Sequence, residues 1–448
     1  MGQRGRILTE VFGFSGWKVT AAFFEGARGE VITPTRDLTR LRGAKLVLVL
    51  VRRWLPCCGR CGARLGRESL HEHLRERRWA DLPWADHPVE ISYAPIRVKC
   101  AKCHGTPVEM VAWAAPSQRQ TRRLQQHLAV ECASMPTSHV AALHGLSWAT
   151  VHRAEDHALE RWAATRPTVP LEHLGMDEKW LGRRHERFEK YVSILSNLAT
   201  GEPIWIGYGR DEAAVRPFLD GLTDDQKTGM KTVTMDLHRA YWNAIDNTKG
   251  LEHVPIVHDP FHVTKLANAC VDELRRQTFF RAGDEHRAIG KGKRWLFLRG
   301  SEKLSDEQRA DLGVMLSFNR TLARAYQIKE ELRAVLREPG PALKVGLNRI
   351  LRRTQRRDCP PLRKLHHTLK ERWNEIVALG THRPPTGRVE ALNNNWETLV
   401  RRGRGYRNHA YLLRKLAFMV ANPIRSADGF QRFLALGVVP PRAVPLAA

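Results

Sequence analysis

LEHLGMDEKWL (residues 171–181), FEKYVSIL (188–195), PIWIGYG (203–209) and KTVTMD (231–236) are the runs that decide the fold. All are short, and the last three are rich in β-branched or aromatic residues, the composition of strands that bury a face. Ala199-Thr200-Gly201 turns the second run into the third, and strands joined by so short a turn pair antiparallel. A helical pattern, EAAVRPFLDGL (212–222), separates the third run from KTVTMD. A second, RAYWNAI (239–245), leads to a further strand, HVPIVHD (253–259). Strands alternating with helices predict parallel neighbours.

Three antiparallel strands followed by helix-alternated strands match the ribonuclease H-like order, here within a multidomain α/β chain. Three acidic residues fall at the edges of these elements: Asp177 in the first run, Asp236 at the end of KTVTMD, and Glu390 in GRVEALNNNWETLVRR (387–402), a stretch of helical character. Acidic residues at strand ends and helix starts are common in any α/β protein. In such sheets, however, ligands collect beyond the carboxyl ends of the strands, near a switch in strand order, and Asp236 falls there. Carboxylates from remote segments suit two hard divalent cations about 3.5–4 Å apart, one for the attacking and one for the leaving oxygen of a phosphodiester. Two Mg²⁺ ions, or Mn²⁺, are therefore the expected cofactors. Asn393 and Asn394 follow Glu390 at i+3 and i+4, on its helix face, where they would fix the carboxylate or a phosphate.

The 448 residues exceed one ordinary domain, and a formal charge of +26 with pI near 10.3 is extreme for a globular chain. Such a field attracts polyanions, nucleic acid first. A ribosome-like accessory role or binding to anionic membranes fits less well, because the basic residues spread over the whole chain. The longest apolar stretch, Leu46 to Val51, is too short to span a bilayer, and MGQRGRILTE at the start lacks the apolar core of a signal peptide. The expected location is the cytoplasm, with the nucleoid, and no membrane partner.

Residues 1–50 alternate apolar and polar in WKVTAAFF and KLVLVLV and read as short strands. They lead into Cys58-x-x-Cys61, which is matched by Cys100-x-x-Cys103 beyond RRWADLPWADHPVEISYAPIRVKC (77–100). Two such turns present four thiolates, a tetrahedral set suited to structural zinc with no open position for catalysis. Cys57, His71, His73 and His104 are rival ligands, and free buried thiols are the bland alternative.

TRRLQQHLAVECASMPTSHVAALHGLSWATVHRAEDHALERW (121–162) carries a helical period through Leu124, Leu128 and Cys132, a short helix over Val140–Leu143, a turn at Gly145, and Ser147 as the cap of a third helix from Trp148. This is the helix-turn-helix layout, although a plain three-helix bundle would read alike. In the first case Trp148, Thr150, His152 and Arg153 approach a DNA groove. Arg401, Arg402, Arg404 and Arg407 form a second cluster fit for phosphates, where a merely solvated face is the alternative.

FHVTKLANACVDELRRQTFF (261–280) and FNRTLARAYQIKEELRAVLRE (318–338) are helical, the latter with Leu322, Tyr326, Leu332 and Leu336 near helical spacing. The expected organisation is a β-rich zinc-binding domain over 1–115, the helix-turn-helix over 116–165, a catalytic domain over 172–265 and 384–425, and a helical insertion over 266–383.

GMDEKW, TMDLHRAY, HDPFHVTKLAN, LARAYQIKEEL and VEALNNNWETLVRRGRGYRN, in this order after two Cys pairs and a helix-turn-helix, resemble bacterial insertion-sequence transposases of the ISL3 family over nearly the whole length. The resemblance implies that Asp177, Asp236 and Glu390 form a DDE triad, and that Asp259-x-x-His262 is the acidic-x-x-His motif following the second aspartate. It departs from the family pattern at His258 and Pro260 around that aspartate, and at Ala391, where glycine is usual. It also implies binding of terminal inverted repeats and target DNA, Mg²⁺-dependent cleavage and strand transfer, and at least a homodimer, since two ends must be paired. His262 would hold Asp259 or donate to a phosphate, unless it is simply a buried, satisfied histidine. A DNA-binding regulator with a dead catalytic domain, and a structure-specific nuclease, are the rival readings.

Overall fold

The computed structural model describes residues 3–33, 38–180, 190–355, 358–403, 406 and 408–437. They fall into two compact units, one of Met1–Pro167 with Thr398–Ala448 and the other of Thr168–Glu397. Residues 188–189 of the run FEKYVSIL, together with Arg404 and Arg407, lie outside the described residues.

The first unit opens with a helix, α1 (Gln3–Phe12), where short strands are expected from the sequence. Leu8 and Phe12 lie one helical turn apart and pack on the adjacent sheet, so a 3.6-residue period overrides strand alternation there. The sheet contains β1 (Trp17–Glu25), β2 (Val31–Ile32), β3 (Lys45–Arg52), β5 (Arg77–Trp84) and β6 (His87–Tyr93), in the order β2-β1-β3-β6-β5. A separate pair, β4 (Leu70–His73) with β7 (Ile96–Val98), lies between the cysteine turns in sequence. The sheet's core centres on Trp113, whose ring meets Phe14, Trp17, Trp79 and Tyr93 edge-on at 5.6, 6.0, 5.1 and 6.3 Å, the geometry favoured by ring quadrupoles. Nearby Glu109 is buried, pairs with Arg52 and accepts a 2.5 Å hydrogen bond from the Tyr93 hydroxyl.

Three helices come next: α2 (Arg122–Ser134), α3 (Thr137–Leu143) and α4 (Trp148–Ala164). Ser147 caps α4 as its sequence position calls for, and Thr121 caps α2. Thr121 Oγ1 accepts from Leu124 N at 3.2 Å and Ser147 Oγ from Thr150 N at 3.2 Å. Gly145 takes φ +59° between α3 and α4, a left-handed turn that a side chain disfavours. Leu124, Leu128, Cys132, Val140, Ala141, Val151 and Ala154 form the shared core.

The second unit is built on a sheet of β8 (His173–Trp180), β9 (Tyr191–Asn197), β10 (Glu202–Tyr208), β11 (Thr232–Met235) and β12 (Ile256–His258), in the order β10-β9-β8-β11-β12. The first three strands pair antiparallel; β8, β11 and β12 run parallel. The crossovers contain α5 (Glu212–Asp220) and α6 (Asp224–Gly229) before β11, and α7 (Arg239–Asp246) after it. Gly175 in β8 is required by close packing, since a Cβ there would stand 2.6 Å from Leu198 Cδ2 and 2.7 Å from Ser196 Oγ.

Beyond β12 the unit is helical: α8 (Pro260–Phe279), α9 (Asp284–Gly290), α10 (Arg294–Leu298), α11 (Asp306–Ser317), α12 (Arg320–Val335), α13 (Gly340–Thr354), α14 (Pro360–Glu371) and α15 (Trp373–His382). Leu322, Tyr326, Leu332 and Leu336 are buried in one continuous apolar core with residues of α8, α13, α14 and α15. Then α16 (Gly387–Gly403) carries Glu390 in its first turn and Arg401 and Arg402 in its last. The remaining helices, α17 (His409–Ala421) and α18 (Ala427–Ala435), belong to the first unit. There Tyr411 and Lys415 of α17 close on the buried Glu155 of α4, at 2.6 Å and 2.7 Å. No described helix is long and apolar enough to cross a membrane.

Candidate active site

Strand register assembles the acidic residues. Met235 of β11 stands opposite Met176 of β8 on one side and His258 of β12 on the other. The next residue on each strand is acidic: Asp177, Asp236 and Asp259. Neighbouring strands lie about 4.8 Å apart, so Asp236 sits between two carboxylates that share its level in the sheet. All three line one small cleft with His262, and Val389 and Leu392 of α16 close its side.

Each carboxylate is held by local backbone. Asp177 Oδ1 accepts from Glu178 N at 2.8 Å, Asp236 Oδ1 from His238 N at 2.9 Å, and Asp259 Oδ1, capping α8, from Phe261 N at 2.8 Å. Asp177 Oδ2 is buried, takes no aligned hydrogen bond, and faces the Lys179 ammonium at 3.0 Å. Burial raises the Asp259 carboxyl above the usual carboxylate range, and the charges of Asp177 and Asp236 add to that shift, opposed by the Phe261 N–H and by His262. Crowded negative charge of this kind is stabilised by a cation. The carboxylate oxygens of Asp177, Asp236 and Asp259 make a hard donor set that fits a divalent ion, with Lys179, paired to Asp177 Oδ2, balancing part of the charge.

Glu390 is placed differently. Its side chain is exposed while its helix neighbours Val389 and Leu392 line the cleft. Among the described residues, no group of three acidic or histidine side chains has its ligand atoms within 4.8 Å of one another. Asn393 is half-buried and Asn394 exposed, on the helix face of Glu390.

Several polar groups around the cleft are not evident from sequence. Glu178 Oε2, Thr234 Oγ1, His238 Nδ1 and His258 Nε2 are buried and without hydrogen-bond partners. Burial lowers the His258 imidazole to about 4, so its ring is neutral at physiological pH. Lys179 does carry a legible signal: two residues after Asp177 on a strand, it shares that face. The others depend on strand pairing, which no local pattern reveals.

In the first unit the four thiols converge. Cys58 and Cys103 Sγ lie 3.3 Å apart, Cys61 and Cys100 3.6 Å, Cys100 and Cys103 3.5 Å. All four fall within 4.8 Å of one another. Zn–S bonds of ~2.3 Å in a tetrahedron set S···S edges of about 3.8 Å, so the cluster is nearly of zinc dimensions. Arg60 N points at Cys58 Sγ at 3.3 Å, the kind of amide contact that stabilises a thiolate. Hydrogen bonding from the Cys103 backbone lowers the Cys100 thiol to about 7. The rivals Cys57, His71, His73 and His104 are not in the group.

Two of the helix-turn-helix residues, Trp148 and His152, meet Arg401 and Arg402, far from them in sequence, around a cavity of about 850 Å³, whereas Thr150 and Arg153 are not among its lining residues. Trp148 is exposed and stacks on His152 at 4.9 Å with 24° between planes. Arg153 is exposed at the start of α4, its Nε donating to Ala149 O at 3.3 Å, while Thr150 is held at the Ser147 cap.

A sheet bearing acidic residues at parallel strand ends, joined to a cysteine quartet and a helix-turn-helix, defines a DNA-processing class of protein. Comparison with known proteins makes this specific. The profile of the ISL3 DDE family, described as transposase, matches residues 174–416. A second, the helix-turn-helix domain of transposase family ISL3, matches residues 109–159. The chain belongs to the ISL3 family of transposases. It is 29% identical over 363 residues, 80% of this chain and 87% of the relative, to the transposase for insertion sequence element IS1001 of Bordetella parapertussis. It is 26% identical over 383 residues, 80% and 84% respectively, to the transposase for insertion sequence element IS1557 of Mycobacterium tuberculosis.

Proposed function

We propose that this chain is the transposase of an insertion sequence, binding terminal inverted repeats through its helix-turn-helix and cutting and joining DNA at Asp177, Asp236 and Glu390. The observation that carries the reading is the shared level of Asp177 and Asp236 on adjacent parallel strands. We read the second unit's sheet as ribonuclease H-like, interrupted by a helical insertion over 266–383, and keep the zinc-binding domain at 1–115 and the helix-turn-helix at 116–165. The catalytic segments are 172–265 and 384–425, with the compact units dividing the latter at Thr398.

Asp177 and Asp236 would hold two Mg²⁺ ions, or Mn²⁺, with Glu390 completing the set. When bound, such ions stabilise the attacking and leaving oxygens of an in-line displacement at phosphorus. The chain's own work is positioning. Backbone N–H groups of Glu178 and His238 fix one oxygen each of Asp177 and Asp236. Lys179 partly neutralises Asp177, and Asn393 and Asn394 would orient Glu390 or a phosphate. Arg401, Arg402, Arg404 and Arg407 would grip the backbone of DNA. Water opens the strand at the element's end, and the released 3′-hydroxyl attacks a target phosphodiester, displacing the target strand's 3′-hydroxyl, with no covalent protein intermediate. Pairing two ends calls for a homodimer or larger assembly, acting at the nucleoid. The Cys58, Cys61, Cys100 and Cys103 quartet would hold structural zinc.

The exposure of Glu390 favours one second reading, a DNA-binding regulator without cleavage. Incubation of the full chain with Mg²⁺ or Mn²⁺ and end-labelled element DNA separates the two. Cleavage lost in Asp236→Ala supports the transposase; binding without any cleavage supports the regulator. Cutting of branched DNA regardless of end sequence, without strand joining, would instead mark a structure-specific nuclease.

A further inference from the structure

We infer that the cavity of the first unit is a receptor for an unpaired nucleotide of DNA, its base stacked on Trp148 and its phosphate held by Arg401 and Arg402. The inference deepens the proposed DNA binding and rests on it. At about 850 Å³ the cavity lies in the range of pockets that enclose small molecules, roughly 300–1,000 Å³. That is room for a nucleotide and its neighbouring phosphate, but not for a duplex.

Its walls divide into aromatic and cationic parts. Trp148 and His152 form one stacked pair; the buried Tyr411 ring backs His152 at 4.2 Å, tilted by 52°, and Tyr406 lies 6.0 Å from Tyr411. Every base offers a π face to such a surface, which makes the recognition sequence-tolerant. The floor adds no net charge, because Lys415 and Glu155 are both buried and paired at 2.7 Å, with the Tyr411 hydroxyl also bonded to Glu155. Positive charge comes from the rim. Arg402 Nη1 donates to Ala133 O at 2.8 Å and Nη2 reaches Met419 Sδ at 3.7 Å, while its Nε is buried without a partner. Aromatic faces beside guanidinium groups match a nucleobase with its phosphate and suit neither an apolar peptide nor a free anion.

The test measures affinity of the full chain, without added divalent cation, for a blunt DNA hairpin and for the same hairpin with a short single-stranded overhang. The overhang should bind more tightly. Trp148→Ala should lose that preference by roughly five- to hundred-fold, the ratio of the two affinities falling toward one, while Trp148→Phe restores it. Because Trp148 is 55% exposed, its removal leaves the core intact, which a melting curve checks. Ser138→Trp, filling the cavity from an exposed lining position, should abolish the preference independently. Equal affinity of the unmodified chain for both hairpins overturns the inference and spares the proposed DNA binding. So does an equal loss of both in Trp148→Ala, which would make this helix a reader of duplex DNA. Binding to neither hairpin refutes the DNA binding itself.

Discussion

Asp177 and Asp236 stand side by side, each the residue that follows the Met176–Met235 register pair on adjacent parallel strands. Asp259 extends the row by one strand beyond Asp236. The row predicts that divalent cations bind here and nowhere on the nearby acidic surface. Mn²⁺ titration followed by electron paramagnetic resonance should show affinity weakened about 10- to 100-fold in Asp259→Asn, the size of effect typical of groups that support a metal site. Asp225→Asn, on exposed α6, should change nothing. An unaltered affinity in Asp259→Asn would remove that residue from the site.

The cysteine quartet predicts one zinc per chain. Cys100→Ser should drop the metal content toward zero and lower the melting temperature of the first unit, since ligation energy is folding energy in such modules. Cys57→Ser, one residue from the cluster yet outside it, should retain the metal. Loss of zinc in both variants, read by elemental analysis, would mean that Cys57 is a ligand.

Trp113 touches four aromatic rings. Trp113→Ala should destabilise the first unit by about 3–5 kcal/mol, the usual cost of emptying so large a core site. Urea unfolding followed by near-ultraviolet circular dichroism measures it, and a change below about 1 kcal/mol would show that the ring cluster contributes little.

His258 predicts a pH dependence in the second unit. Its folded-state value of about 4 lies below the ordinary 6.5, so between those values the unfolded chain binds more protons. Stability from this group is therefore complete above about 6.5 and is lost as pH falls toward about 4, with a slope of at most about 1.4 kcal/mol per pH unit. His258→Gln should flatten that part of the stability profile. An unchanged slope would place the titration elsewhere.

Local chemistry makes much of this fold legible. The Ser147 cap, the Gly145 turn and the buried face of α12 are each written in a few neighbouring residues, and the two Cys pairs carry their ligand geometry in their spacing. The amino-terminal helix is masked by the strong strand pattern of WKVTAAFF, which draws attention from Ile7, Leu8, Val11 and Phe12, whose spacing is helical. The row of three aspartates is not legible as a row. Asp259 is just one residue of a D-x-x-H motif until β12 pairs with β11, and pairing is a property of the whole sheet. The meeting of Trp148 with Arg401 and Arg402 is hidden for the same reason, because nothing in either segment refers to the other.

The level row of carboxylates also constrains how relatives of this chain can diverge. Adding or deleting one residue within Thr232–Met235 would turn Asp236 to the opposite side of the sheet, whereas turns and helices elsewhere absorb changes of length. Drift in this lineage should therefore accumulate as insertions between strands, leaving the short segments before each aspartate fixed in length even where their letters change.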